Sequence, residues 1–393
     1  MLYVKKITLI IVSFTLFTAF ALLYYFGVLG AHFFLLQTSY GKLPGWKQDN
    51  QKEALYAFKQ SCAAIMLLDP KKPFSAFPSS GKVRDWQTIC QASNNLVKED
   101  NDAARQFFEY WFQPYRVENN FNPNGLFTGY YVPLIHASLK KDARFSTPIY
   151  ALPNDLIKIQ LNCFYPDLAG KTVTGKLENN QLMPYPDRTA INAGAIENKA
   201  RVLAWSDNPV DVFFAQIQGS ALVQLPNQQK FLIGYAGDNG RFYTSIGKAL
   251  VAKHAIAKQA ISMQAIRNWL NQHPENVNDT LNQNASYVFF QILKQDKPIG
   301  TQHVPLTPQR SLAVDTHFIP LGAPIWLNTT FPQTALKNHV SFQKLLIAQD
   351  TGGAIKGIVR GDVFWGQGEE AAFSAGYMQN RGQYWVLLPR YIK

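Results

Sequence analysis

The sequence predicts a mainly β protein with helices gathered on its N-terminal side. Three observations carry this. Residues 51–116 show apolar side chains at helical spacing in three stretches. From about 125 to 235 the chain breaks into short β-branched and aromatic runs punctuated by Pro, Gly and Asn, and after two more helical stretches the last third returns to such runs. With 393 residues, 47% hydrophobic and only 16% charged, the chain has material for two domains with real cores and an anchoring segment besides.

In chain order, Lys5 and Lys6 precede an uncharged run over residues 7–29 rich in Ile, Leu, Phe and Val. As a helix it reaches about 35 Å, against a hydrocarbon core of about 30 Å. We read it as an uncleaved single span in the inner membrane, with the lysines on the cytoplasmic flank and the remainder outside. The competing reading is a signal peptide cut at Val28-Leu29-Gly30, although the apolar region of such peptides usually runs about 7–15 residues. No cysteine precedes Cys62, so lipid attachment at an N-terminal cysteine is not available. Residues 31–50 are expected to form a short tether, with YGKLPGWKQDN (40–50) as linker or start of the fold.

The first helical stretch holds Leu55, Phe58, Cys62 and Ile65; the second holds Trp86, Ile89 and Cys90. The third is DNDAARQFFEYWFQPY, with Asn101 or Asp102 as N-cap. Cys62 and Cys90 pair in an oxidising compartment and are two buried thiols otherwise, while Cys163 is left over. Strands are expected in LFTGYYVPLI, STPIYALP, ARVLAWSD, VDVFFAQIQG and KFLIGYAG. Helices follow in SIGKALVAKHAIAKQAI and in SMQAIRNWLNQ, where Met263, Ile266 and Leu270 share a face and His273-Pro274 closes the element. ASYVFFQIL, RSLAVDTHFI, APIWLN, KLLIAQDT, KGIVRGDVFWG and QYWVLLPR read as strands, with a short helix through GEEAAFSAGYM.

A net charge of +12 favours anionic polymers: nucleic acid, anionic lipid or peptidoglycan with its peptide carboxylates. No nucleic-acid motif or long Lys/Arg run accompanies it. The seven histidines form no HxxxH or HExxH pattern, so no metal is expected, and the chemistry implied below needs no cofactor. There is no GxSxG elbow.

Three aspartates stand at or near the ends of strand-like runs: Asp315, Asp350 and Asp362. Carboxylates so close to apolar runs are costly unless paired or hydrogen-bonded. Each is either a turn-maker or part of a site that a small barrel assembles at one rim. Asp362, between Gly361 and Val363-Phe364-Trp365, has the apolar flank that raises a carboxyl pKa, as a general acid requires. Glu369-Glu370 reads as the N-terminal turn of a helix. Tyr130, Tyr131 and Trp365 are core residues or sugar platforms.

Several long strings resemble, in order, the membrane-bound lytic murein transglycosylase A family. They are FTGYY (127–131), QIQGSALVQL (216–225), GYAGDNGRFYTSIGKAL (234–250), SMQAIRNWLNQHP (262–274), NASYVFF (284–290), PIGTQHVPLTPQRSLAVD (298–315), IPLGAPIWL, AQDTGGAIKG and GDVFWGQGEEA. The last segment is also similar to the 3D domain, named for three aspartates that map to Asp315, Asp350 and Asp362.

The resemblance implies a double-psi β-barrel built from residues 41–131 and 288–393, with a second β-domain inserted at 132–287 and residues 1–40 as anchor or signal. It implies a glycan groove between the domains, with Asp362 as catalytic acid and Asp350 and Asp315 holding geometry. Thr128, Tyr130, Gln218, Ser220, Tyr243, Ser245, Lys356 and Trp365 are the substrate-binding residues it suggests. Lys356 pairs with an aspartate, meets a substrate carboxylate, or is simply solvated.

The implied reaction cuts the β-1,4 bond between N-acetylmuramic acid and N-acetylglucosamine, closing a 1,6-anhydro ring, outside the cytoplasm. Peptidoglycan strands, the membrane and cell-wall synthesis proteins are the implied partners, and nucleic acid is not. A hydrolase using Glu369 or Asp315 as base, or a non-catalytic expansin-like wall binder, are the competing outcomes.

Overall fold

The computed structural model describes residues 32–75, 78–168, 171–332 and 339–390. The expected anchor at residues 7–29 lies outside them, and no helix among the described residues is long and apolar enough to cross a membrane.

Strand β1 (Phe33–Gln37) pairs antiparallel with β2 (Phe112–Asn119), and helices α1 (Gln51–Ile65), α2 (Val83–Asn94) and α3 (Asn101–Trp111) lie between them in the chain. The segment read as a tether is therefore part of the fold: Phe33 and Leu35 pack on the core, and Leu43 and Trp46 are buried in it. Cys62 and Cys90 join α1 to α2 in a disulfide with 5.4 Å between Cα atoms; Cys163 is free and exposed. Helix α3 is capped by Asp100, one residue earlier than expected, whose carboxylate accepts from the Ala103 amide at 2.8 Å. It stops at Trp111 rather than running on to Tyr115, because Pro114 disfavours helical backbone at Gln113.

After β3 (Gly125–Val132) the chain leaves the main sheet. It forms β4 (Leu134–Ser138), β5 (Thr147–Tyr150), β6 (Ile157–Gln160), β7 (Thr172–Glu178), β8 (Gln181–Pro184), α4 (Arg188–Asn192), β9 (Val202–Ser206), α5 (Pro209–Gln218), β10 (Ser220–Gln224), β11 (Lys230–Asp238), α6 (Ile246–Ala252), α7 (Met263–Gln272), α8 (Val277–Asn282) and β12 (Val288–Ile292). Six of these strands make one sheet, β12-β11-β10-β4-β9-β5, and β6-β7-β8 make a small second one.

Helix α5 corrects the strand expected at VDVFFAQIQG. Asn208 caps it, accepting from the Val210 amide at 2.9 Å, Pro209 occupies the first turn, and Gly219 ends it at φ 78°. Its residues are apolar on two sides, Val212 and Ala215 towards one cluster and Val210, Phe213 and Phe214 towards another. Burial on both sides erases the polar spacing that would distinguish helix from strand. The stretch from Ser245 is helical only to Ala252, since His254 turns the chain at φ 56°.

The chain then returns through β13 (Ser311–Val314), β14 (Pro324–Pro332), β15 (His339–Asp350), β16 (Arg360–Gln367), α9 (Glu369–Tyr377) and β17 (Gln379–Pro389). The main sheet runs β1-β2-β17-β14-β15-β13-β16-β3, and a further β17–β3 pairing closes six strands into a ring. Its core mixes barrel residues (Phe127, Trp326, Leu345, Val363, Tyr384) with Phe58, Trp86 and Phe108 from the helices.

Two polar ties fasten the N-terminal part to this ring. Arg310 is fully buried and grips Asp49 through two 2.8 Å contacts, with Glu53 at 3.0 Å from Nε. Buried Gln349 donates to the Ala57 carbonyl at 2.9 Å and to Ser61 at 3.0 Å, and accepts from Ser311.

Candidate active site

Backbone register places three site residues in one row, with Ala313 between two of them. Asp350 on β15 and Asp362 on β16 both pair with Ala313 of β13, and Asp362 pairs on its other side with Thr128 of β3. Strand spacing of about 4.8 Å sets the two aspartate backbones about 10 Å apart on the same face. Gly129 lets β3 run close to β16: a Cβ there would sit 2.5 Å from Trp365 Nε1 and 2.8 Å from Ala375 Cα.

Asp362 is half-buried. The Thr128 hydroxyl donates to its Oδ1 at 2.5 Å, and Arg360 Nη2 donates to that same hydroxyl oxygen at 2.9 Å. The guanidinium thus orients the hydroxyl proton towards the carboxyl. Burial lifts the Asp362 pKa from 3.8 to about 6, against the pull of Arg360 and Thr128 and with a push from Asp350. At that value the group holds a proton in mildly acidic surroundings and releases it readily.

Asp350 is held from both sides. Its Oδ1 accepts from the Thr301 amide, the Thr301 hydroxyl and the Thr351 amide, each at 2.9 Å, and its Oδ2 accepts from Tyr130 Oη at 2.9 Å. Burial raises its pKa above the usual carboxylate range, partly countered by these four donors. Burial and both carboxyls push the Tyr130 phenol well up, so it stays protonated and donating.

Asp315, 4% exposed, follows β13 and works differently. Its Oδ2 accepts from the Gly357 amide at 2.9 Å, and its Oδ1 faces the His317 amide at 3.2 Å and ring Nδ1 at 2.7 Å. Burial pushes its pKa up, but the Gly357 amide, His317 and Lys356 outweigh it and leave the group below the ordinary range. It is a lasting carboxylate that ties down the segment between β15 and β16, the one carrying Lys356.

The remaining sequence candidates divide. Thr128 and Tyr130 join the cluster, but Tyr130 is 7% exposed with its ring against Phe364, so it orients Asp350 and is not an open stacking surface. Trp365 is likewise not a sugar platform; it is buried between Phe331 and Phe342. Gln218 accepts from the Tyr131 amide at 2.9 Å, joining α5 to β3, and buried Ser220 begins β10 beside it. Ser245 spends its hydroxyl as the α6 cap. Tyr243 and Lys356 are exposed.

Lys356 lines a cleft of about 670 Å³ with Lys158 of β6, Met183 of β8, Asp238, Arg241 and Phe242. This opening brings the barrel and the inserted strands to one wall with three cationic side chains against one carboxylate.

Two site residues escaped the sequence reading. Arg360 precedes Asp362 by two positions, the strand period that puts both on one face, and that was its available signal. Thr301 lies in an irregular segment with no period to mark it.

Family models match at two places: the MltA specific insert domain over residues 126–291 and the 3D domain over residues 310–388. The membrane-bound lytic murein transglycosylase A of Escherichia coli (strain K12) is 34% identical over 288 residues, 72% of this chain and 71% of that protein. The chain belongs to the membrane-bound lytic murein transglycosylase A family. Solved members share its fold. The Agrobacterium tumefaciens membrane-bound lytic murein transglycosylase superposes with a TM-score of 0.80 at 32% identity, covering 91% of this chain and 98% of that one. The E. coli family member solved with bound chitohexaose gives 0.61 at 28% identity, covering 85% and 90%. The family thus accounts for both the ring of barrel strands and the inserted sheet.

Proposed function

We propose that this chain is a peptidoglycan lytic transglycosylase in which Asp362 is the proton donor. The observation that carries the assignment is one part-open carboxyl with a pKa of about 6, fed by an oriented hydroxyl and backed by a second, immobilised carboxyl. Murein lytic activity in the relatives' names and chitohexaose in one solved member point to the same substrate class.

Glycoside hydrolases normally need two carboxylates, since water or an enzyme nucleophile must reach the anomeric carbon. Here the muramic acid's own C6 hydroxyl attacks, and well-oriented intramolecular attack reaches effective molarities of about 10⁵ M or more. One acid then suffices. Neutral Asp362 protonates the leaving glycosidic oxygen; as carboxylate it takes the C6 hydroxyl proton, and the 1,6-anhydro ring closes with the proton balance restored. The N-acetylmuramic acid to N-acetylglucosamine β-1,4 bond is the bond broken.

Asp350 and Asp315 position. Asp350, held by four donors, fixes the geometry beside Asp362 and adds a push to the pKa that burial raises; Asp315 fixes the segment bearing Lys356. Both Asp315 oxygens are occupied and the residue is buried, which disfavours it as a base for water. The cleft of Lys158, Arg241 and Lys356 suits peptide carboxylates on the glycan.

We further read the closed six-stranded ring as a double-psi barrel assembled from residues 41–131 and 288–393, with 132–287 inserted. The enzyme works on the periplasmic side, held by a single span at residues 7–29, and the Cys62–Cys90 disulfide suits that oxidising compartment. Mass analysis of fragments released from purified peptidoglycan by the detergent-solubilised full chain tests the chemistry. Products lighter by one water than hydrolytic muropeptides are expected; hydrated ends alone would overturn it.

A further inference from the structure

We infer that the tip of the turn between β2 and β3 is a membrane-seating surface, pressing the catalytic barrel onto the bilayer face where the anchor emerges. The inference rests on the reading of residues 7–29 as an uncleaved span.

The turn itself is unusual. Asn119 and Asn122 exchange backbone hydrogen bonds at 2.9 and 3.0 Å around Asn120 and Phe121, whose φ angles are 51° and 64°. Two-residue turns of this kind favour Asn-Gly, and a bulky residue at positive φ is strained. Phe121 nevertheless occupies the glycine position and is 67% exposed. Its ring stacks on Phe34 at 4.3 Å, and Leu36, 51% exposed, continues the apolar surface along the outward face of β1. A strained aromatic that buries so little within the fold points to an apolar surface outside it.

The chain path identifies that surface as lipid. The His32 amide donates to Asn120 Oδ1 at 2.9 Å, and the Asn120 amide donates to the His32 carbonyl at 3.0 Å, so the chain enters the fold at this tip. The apolar run ends at Leu29, three residues earlier, a reach of at most about 10 Å. A span ending there holds Phe121, Phe34 and Leu36 at the headgroup level, where amphipathic and aromatic groups are favoured. At most about 25 Å of chain separates Phe121 from Thr128, so cutting is confined to glycan lying close to the membrane.

The test uses the full chain in vesicles of phosphatidylethanolamine and phosphatidylglycerol. Phe121→Cys, made with Cys163→Ser so that one free thiol remains, carries a polarity-sensitive fluorophore, and Val97→Cys, fully exposed elsewhere, is the reference. Leu36→Cys serves as a second reporter should the Phe121 variant fold poorly. Expected are strong quenching by lipids spin-labelled near the headgroup and several-fold lower iodide quenching than at position 97. A label at 121 or 36 as open to iodide as at 97, in chain that resists alkaline carbonate extraction, overturns the seating alone. Protection that depends on protein concentration and not on lipid assigns the patch to a second copy and also overturns it. Chain released by carbonate overturns the anchor and the seating together.

Discussion

Replacing Asp362 with Asn separates chemistry from fold, because the amide oxygen can still accept from Thr128 while the group can no longer carry the transferred proton. We expect lytic turnover to fall by at least about 10²-fold, the low end for a general acid. Stability moves differently. The Asp362 pKa stands near 6 in the folded chain against an ordinary 3.8. Between those values the folded chain holds a proton that the unfolded chain has released, so native stability falls as pH rises through this window. At 1.36 kcal/mol per pKa unit the loss totals about 3 kcal/mol by pH 7. The asparagine variant has no such loss. Its stability relative to the natural chain should therefore improve by about 2 kcal/mol from pH 4 to pH 7, part of the loss having already occurred at pH 4. Urea unfolding at the two pH values, alongside muropeptide release, measures both effects. Retained turnover would sink the role of Asp362, and a stability difference independent of pH would sink the account of its raised pKa.

Further outcomes follow from the same structure. Activity of the natural chain should decline as pH rises past about 6, where Asp362 loses its proton, and Thr128→Val should move that decline to higher pH by removing a donor to the carboxylate; a pH profile of kcat/KM reads both. Arg310→Met leaves Asp49 buried without its partner and should cost about 3–5 kcal/mol in denaturant unfolding, without shifting that pH profile in the folded fraction. Opening the Cys62–Cys90 loop, 28 residues by sequence separation, by a Cys62→Ala/Cys90→Ala double substitution should cost about 3–4 kcal/mol; an unchanged unfolding midpoint would count against the bridge.

Elements with one buried face were legible in the sequence. Helices α1, α2 and α7 and most barrel strands stand where periodicity puts them, since a single apolar face writes a regular pattern. Where two faces are buried the pattern fails, as in α5. Where neither is well buried it also fails: β6, β7 and β8 are mostly exposed and carry ordinary polar residues. Strand β1 was concealed by its position just after the apolar run. For the site, local context singled out Asp362, but the row Asp350–Ala313–Asp362–Thr128 is a property of register between strands far apart in sequence, as is the placement of Trp365 in the core. Pattern reading reports which residues are apolar, not which strand lies beside which.

The order in which the chain leaves the ribosome bears on when the ring can close. Strand β3 is made early, yet its partners in the ring are β16 and β17, and Thr128 meets Asp362 across 234 positions of sequence. Strand β17, which closes the ring by pairing with β3 and β14, is the last element of the described chain. Until it arrives, β3 has an open edge on the side away from β16, and Thr128 lacks the partner that flanks it opposite Asp362. Contacts so distant form slowly, because loop closure must come first. Closure of the ring is therefore a late product of synthesis: the barrel has a gap between β14 and β3 until its final strand is made.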